Sequence, residues 1–541
     1  MKKYLGYIKA LKGYKIDVFF LGTLIIISVG LEILFPYING KFIDRLITAI
    51  NFKNIIPMIS MLFIIGLGNQ LLKYYIRCTS CKISETINFD IKQKMLEVLR
   101  KVKYQKYKSL NSAYLNQRIN SDVVKVVGFF IDNFISILAK FVQLSIIVYI
   151  LGRINLRLML IILLICPLYY YLYKRFKAPI FRKSLKAKEQ MSVFFQSYND
   201  QLEYMEEIVT EANYSVQDNN LKEAFKNYFE NIFDYTKTIA SFGMTQGIFA
   251  LIFQIIVFLI GGYNVINRKM TIGQLTTITS YFVTIMANIA YYIDLGKDFQ
   301  ITKSSLKRLE ELLDLEKRKE GSRIISEIED IKANISFSYN QENKVLNNVK
   351  IMAEKGEIVG IIGFNGSGKT TLSKILIGVL QGYDNDETEI IFNEEYSIEE
   401  VNTVELRREK IAYIPQNIRG INKSLCGLFN EVAYFSNVDE FINSLTNMGV
   451  ELTEELNAFI KSNWSKEVDS LSGGDKQVIS IIKNLIKRPD VLFFDEPTSN
   501  LDKERVNWLK KTLMSIRNNK IIFVISHDKE LFDIFNKKIA L

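Results

Sequence analysis

Six apolar stretches constrain this chain more than any other feature: Val18–Phe35, Ile55–Tyr75, Phe134–Leu151, Leu156–Tyr173, Ile239–Val265 and Leu275–Asp294. A helix needs about 20 mostly apolar residues to cross a bilayer, and each stretch approaches or passes that length. Beyond about residue 320 the long apolar runs stop and the sequence reads as a soluble α/β protein. The mean hydropathy of +0.09 therefore averages two unlike halves. With only 7 prolines and no collagen-like period among 541 residues, a fibrous or disordered chain is excluded. The four cysteines, Cys78, Cys81, Cys166 and Cys426, are too few for a disulfide framework. Cys78 and Cys81 read as a helical i, i+3 pair. The single histidine, His527, excludes a His-cluster metal site and any second catalytic histidine.

Charge in the connecting segments sets the orientation. Lys73–Lys125 is crowded with Lys and Arg, Lys174–Lys188 is strongly basic, and the other connections are short with few basic residues. Positive charge favours the inner side, so the two long segments and both termini are expected in the cytoplasm of a multi-pass protein of the cell membrane. The net charge of +11 follows from this topology. No basic stripe interleaved with stacking aromatics points to nucleic acid. Lys2–Lys15 mixes lysines with aromatics, lacks a signal-peptide cleavage site, and reads as an interfacial helix on the bilayer surface. Both basic segments hold helical patterns broken by polar turns, at Lys108–Asn116 and Asn199–Tyr214. Twenty additional helical residues would reach about 30 Å beyond the bilayer, suited to carrying motion between a pore and a soluble motor. Charges at membrane depth are costly and face a cavity or a partner, so Glu32 and Lys140 either line a substrate path or pair structurally.

The second half carries phosphate chemistry. Gly363-Phe-Asn-Gly-Ser-Gly-Lys-Thr-Thr371 follows an apolar β-branched run, Glu357–Ile362, and precedes a helical pattern, Leu372–Leu380. In a strand–loop–helix, glycines let backbone N–H groups wrap phosphates and the helix N-terminus adds its dipole. Lys369 is expected to reach the β- and γ-phosphates, and the Thr370 hydroxyl to ligate Mg²⁺. A second apolar run, Val491–Phe494, delivers Asp495 and Glu496. Asp495 is the expected hard-oxygen partner of Mg²⁺, and Glu496 the expected general base for the attacking water.

Leu471-Ser-Gly-Gly-Asp475 resembles the signature loop of ATP-binding cassette (ABC) ATPases, and other family elements stand in family order. Tyr339 looks like the aromatic that stacks on adenine, Gln416 like the Q-loop glutamine, Ser499–Asp502 like the D-loop, and His527 like the γ-phosphate sensor. Tyr114–Val123 is similar to the first coupling segment of ABC exporters. Gly261–Tyr281 looks like their link between spans five and six, and Gln300–Asp314 like their linker helix. The resemblance implies an exporter-type half-transporter. An all-α membrane domain of six transmembrane helices with long cytoplasmic extensions, residues 1–318, would precede an α/β P-loop ATPase domain, residues 319–541.

It further implies that two nucleotide domains meet head to tail, with each ATP between the phosphate loop of one and the signature loop of the other. The nucleotide would then be held by Tyr339, Gly363, Phe364, Asn365, Gly366, Ser367, Gly368, Lys369, Thr370 and Thr371, together with Ser472, Gly473, Gly474, Asp475 and Asp502. Catalysis would fall to Glu496, His527, Gln416 and Lys369, and Mg²⁺ to Thr370, Gln416 and Asp495. The partner is a second copy or a homologous half-transporter.

Four departures stand out. Asp475 replaces the usual glutamine, Val478 stands where arginine is common, Asn463–Ser470 lacks the usual acidic, glycine-containing segment, and the chain ends soon after His527. The expected function is ATP-driven export of an amphipathic or hydrophobic substrate, a peptide, drug-like molecule or lipid, by a homodimer. A heterodimer with unequal sites, an importer of a metal chelate and a non-pumping membrane sensor are the competing readings. With no second histidine to build a Cys–His peptidase, cargo trimming is not expected.

Overall fold

The computed structural model describes residues 14–48, 53, 55–110, 115–116, 118–339, 344–381, 388–416 and 423–541. They fall into two compact units, Met1–Met95 with Ala113–Leu313, and Leu96–Ser112 with Asp314–Leu541. Of the interfacial helix expected at Lys2–Lys15, all but Tyr14 and Lys15 lie outside the described residues.

Among the described residues of 15–313 lie eight α-helices, α1 to α8: Lys15–Thr48, Ile56–Lys101, Tyr104–Lys108, Val123–Ile154, Leu156–Glu203, Met205–Glu211, Tyr214–Ile266 and Ile272–Leu313, with a π-helical turn, Arg118–Asp122, leading into α4. The longest, α7, has 53 residues. At 1.5 Å per residue it reaches about 80 Å, well beyond a hydrocarbon core of about 30 Å. The expected break at Asn199–Tyr214 is α6, closed by Ala212 in the left-handed region at φ 51°. At the other expected break, Lys108–Asn116, α3 ends at Lys108 and Ser109 and Leu110 are non-helical, while residues 111–114 lie outside the described residues; a further interruption precedes it where α2 ends at Lys101.

Five of these helices are long and apolar enough to cross a membrane, and α8 is not among them. The sixth expected span, Leu275–Asp294, lies on α8 and is more interrupted by polar residues than the other five. The reason is compositional: α8 carries Thr276, Thr277, Thr279, Ser280, Thr284 and Asn288. It buries Thr277, Asn288, Ile278, Tyr281 and Ile285, and the Tyr281 hydroxyl donates to the Ile33 carbonyl at 2.8 Å. A helix enclosed by neighbours needs no lipid-like surface.

Two glycines let α1 and α8 touch. A Cβ on Gly40 would lie 1.9 Å from Thr277 Oγ1 and 2.4 Å from the Gly273 carbonyl oxygen. Small residues at such crossings let helix backbones approach closely. Asp44 then accepts from the Gly273 amide and the Thr271 hydroxyl, each at 2.7 Å, satisfying an orphan donor at the start of α8.

The charges read at membrane depth are paired. Lys73 meets Glu32 at 2.8 Å, and Gln143 donates to Glu32 at 3.0 Å. Asn288 donates to Gln143 at 3.1 Å and Lys140 to Asn288 at 3.2 Å. Of the two readings of Glu32 and Lys140, the structure supplies the partners that pairing requires. A cavity of about 600 Å³ lies elsewhere in the same unit, walled by Tyr173, Phe181, Phe242 and Ile301, with Lys177 and Lys303 among its lining.

The second unit holds two sheets. Strands β1 to β9 are Asp330–Ser338, Lys344–Glu354, Ile358–Ile362, Glu389–Phe392, Tyr396–Ser397, Ile411–Ile414, Val491–Asp495, Ile521–Ile525 and Lys537–Ala540. The antiparallel sheet has the order β2-β1-β4-β5, and the parallel sheet β6-β7-β8-β3-β9. β7 and β8 are buried along their whole length, as parallel strands covered on both faces must be. Lys537–Ala540 form β9 beside β3.

Leu96–Ser112 belongs to this unit as well. Lys103 donates its amide to the Glu316 carbonyl at 2.9 Å, Arg318 donates to the Lys101 carbonyl at 2.7 Å, and Lys374 lies over the Tyr104 ring. The motif expected to couple the halves, Tyr114–Val123, starts ten residues after Tyr104, and Tyr114 is outside the described residues.

Replacing Gly40 by Ala should force α1 and α8 apart and cost about 1–3 kcal/mol. Gly30→Ala, with nothing within 4 Å of the new Cβ, should be neutral in the same thermal unfolding assay in lipid nanodiscs. Equal melting temperatures for the two variants would contradict the close crossing.

Candidate nucleotide site

The parallel register brings three chain segments to one edge. Ile361 of β3 and Asp495 of β7 both pair with Ile525 of β8, so the three strands end level. Directly after them come the Gly363–Thr371 loop, Glu496 and His527. Ligands in open α/β sheets bind at this carboxyl edge.

The loop is shaped by its glycines. Gly366 and Gly368 have φ of +87° and +98°, where a side chain is strained. At Gly368 a Cβ would also press on Leu346 and Val345 at 2.9 and 3.0 Å. Helix α9, Lys369–Leu376, starts immediately after. Phe364 and Asn365 are exposed on the outer side of the loop. Ser367 Oγ is buried with no hydrogen-bond partner among the described residues, an orphan that a phosphate oxygen would satisfy. The buried Lys369 ammonium donates to the carbonyls of Gly363 and Phe364 at 2.8 and 3.0 Å and to His527 Nε2 at 2.9 Å. An ammonium has no lone pair, so His527 Nε2 is the acceptor of that contact. The Tyr339 hydroxyl lies 3.0 Å from Thr371 Oγ1, and its ring is half-exposed beside the loop.

The two carboxylates differ in surroundings. Asp495 is buried and accepts from Thr370 Oγ1 at 3.1 Å and from the Tyr413 hydroxyl at 2.6 Å. Burial, then the hydrogen bond to Asp495 and its charge, hold the Tyr413 phenol well above its ordinary value. Glu496 turns into the left-handed region at φ 47°, fixed by its amide donating to the Ile525 carbonyl at 2.9 Å. Such a conformation costs on the order of 1–3 kcal/mol and gathers at functional sites. Gln416 Nε2 donates to Glu496 Oε2 at 2.6 Å, while His527 Nε2 stands 3.5 Å from Glu496 Oε1. Thr370, Asp495 and the Gln416 amide offer the hard oxygens that Mg²⁺ prefers, so the donor set fits that ion.

Thus Lys369, Thr370, Thr371, Tyr339, Gln416, Asp495, Glu496 and His527 converge. Ser472, Gly473, Gly474, Asp475 and Asp502 do not join them by any hydrogen bond or ion pair among the described residues. They gather separately: Ser472 caps helix α10, Gly473–Ile486, by accepting from the Asp475 amide at 3.2 Å. Asp502 caps helix α11, Lys503–Ile516, by accepting from the Arg505 amide at 2.9 Å. Val478 is buried in the core and Trp464 stacks on Phe429, so two of the departures serve packing.

Sequence reading passed over Tyr413 and Arg505. The signal for Tyr413 was a phenol inside a short apolar strand, where a hydroxyl must find a partner. For Arg505 it was a basic residue three positions after a capping aspartate. Tyr413→Phe should lower the melting temperature by a constant amount between pH 7 and 9, because a buried carboxylate loses a donor. A group with a raised folded pKa loses its stabilisation as pH rises past its unfolded value, here about 10. Above pH 10 the parent should therefore lose stability faster than the variant, and parallel pH profiles would contradict the assignment.

Comparisons place this geometry in a family. Residues 346–499 match the ABC transporter family and residues 18–289 the ABC transporter transmembrane region. The alpha-hemolysin translocation ATP-binding protein of Escherichia coli O157:H7 is 30% identical over 272 residues, 49% of this chain and 38% of its own length. The lactococcin-A transport/processing ATP-binding protein of Lactococcus lactis subsp. lactis is 28% identical over 408 residues, 72% of this chain and 55% of its own length. The chain thus spans between about a third and three fifths of these relatives. A bacterial Atm1-family ABC exporter solved with ATP bound superposes with a TM-score of 0.80 at 15% identity, covering 98% of this chain and 93% of that one, which shows a shared fold. The chain belongs to the ABC transporter family and carries that family's transmembrane region and ATPase cassette in one polypeptide.

Proposed function

We propose that this chain is one half of a homodimeric exporter, with residues 1–318 forming a membrane domain whose long helices extend into the cytoplasm, residues 319–541 and both termini in the cytoplasm, and ATP hydrolysis driving transport of an amphipathic or hydrophobic substrate. The observation that carries this reading is the separation of the site. The catalytic cluster and the Ser472–Asp475 loop occur in the same chain, and among the described residues no hydrogen bond or ion pair joins them. Two copies placed head to tail would complete two equal sites.

In this reading each side chain acts through an atom already positioned. The Gly363–Thr371 backbone and the Lys369 ammonium bind the phosphates, and the Tyr339 ring meets the adenine. Thr370, Asp495 and Gln416 would hold Mg²⁺, which neutralises charge on the transferring phosphoryl group. Glu496, oriented by Gln416, takes the proton of the attacking water at its carboxylate. His527 exchanges its contact with Lys369 for the γ-phosphate. ATP favours the closed pair of cassettes because it binds that state better than the open one. Val102–Lys108, fastened to the cassette while continuous in sequence with α2, is suited to pass closure toward the membrane helices.

A peptide is the favoured cargo. The aromatic cavity with lysines in its lining suits an amphipathic chain, and two relatives are named for translocating a haemolysin and transporting a lactococcin. Removing the base should test the chemistry. Glu496→Gln should lower ATP turnover by about a hundredfold or more while ATP still binds. Parental turnover by that variant would overturn the assignment.

A further inference from the structure

The carboxylate of Asp475 departs from the expected glutamine, and the fold supplies a counter-charge for it. Arg505 Nη2 lies 2.6 Å from Asp475 Oδ1, with the two side chains only 18% and 14% exposed. Asp475 Oδ2 accepts from Ser472 Oγ at 2.6 Å. The same guanidinium has its Nε 3.7 Å from Asp502 Oδ2. One cation therefore stands between the last residue of the signature loop and the last residue of the D-loop. Gly474 makes the approach possible, since a Cβ there would lie 2.6 Å from the Asn500 carbonyl oxygen and 3.0 Å from Arg505 Nη1.

We propose that Arg505 is a positioning residue of the nucleotide site: it neutralises Asp475 and pins the signature loop to the D-loop, so that the partner's ATP meets a charge-compensated surface. The proposal rests on the two-chain site described above. Without Arg505 a partly buried carboxylate would face a polyphosphate, and like charges opposed across an interface repel strongly. Screening by salt distinguishes this charge effect from a purely mechanical brace.

The test uses the full chain in nanodiscs in a Glu496→Gln background, titrated with a fluorescent ATP analogue and Mg²⁺. Arg505→Gln should weaken affinity about tenfold at low salt and less at high salt. Arg505→Lys should stay near the parent, and Asp475→Gln combined with Arg505→Gln should recover most of the loss. Unchanged affinity in Arg505→Gln, or a double variant no better than it, would overturn the proposal. Gly473→Glu, whose Cβ would meet nothing among the described residues closer than Asn500 at 3.9 Å, serves as the control for the composite site. If it leaves affinity unaltered, the two-chain reading fails; if it weakens affinity while Arg505→Gln does not, only the role of Arg505 fails.

Discussion

Everything at the candidate site depends on the parallel register of three strands. Ile361, Asp495 and Ile525 lie in one row, and the Glu496 amide is tied to the Ile525 carbonyl. A slip of one residue would turn each buried side chain to the opposite face and withdraw Asp495 from Thr370. The register is secured by bulk on both faces. Phe493 stacks on Phe523 with ring centroids 4.6 Å apart, and both are buried. β9 then closes the outer edge of β3, with the Leu541 amide donating to the Ile362 carbonyl at 2.9 Å. The last residue of the chain thus braces the strand that leads into the phosphate loop.

Much of this was legible in the sequence because phosphate chemistry leaves little freedom. Glycines at fixed spacing, a lysine and a hydroxyl after them, and an apolar strand ending in two carboxylates each follow from a mechanical need. What stayed hidden depends on contacts between distant segments. Tyr413 and Asp495 are 82 positions apart, and Asp475 and Arg505 sit on different helices. No local pattern announces such pairs. The weaker sixth apolar run has the same kind of origin, since α8 is polar where neighbouring helices satisfy it, which only packing reveals.

The two units treat charge differently. In the membrane unit, Glu32, Lys73, Gln143, Asn288 and Lys140 share a chain of hydrogen bonds and one ion pair. A charge removed from water needs such partners, so the network reads first as a way of housing polar groups among apolar helices. In the cassette, Lys369 is buried on backbone carbonyls and His527, which a phosphate can replace one for one. The first arrangement is closed on itself, and the second offers groups for exchange. That contrast is why the chemistry is assigned to the carboxyl edge of the parallel sheet.

The proposed homodimer would complete each ATP site with the signature loop of a second copy. The most direct test of this is ATP turnover per chain in nanodiscs sorted by copy number. The account predicts turnover in discs holding two copies and negligible turnover in discs holding one. Equal turnover per chain in both would show a site complete within a single chain. No turnover in either, from folded protein that binds ATP, would mean that a second copy does not complete the site.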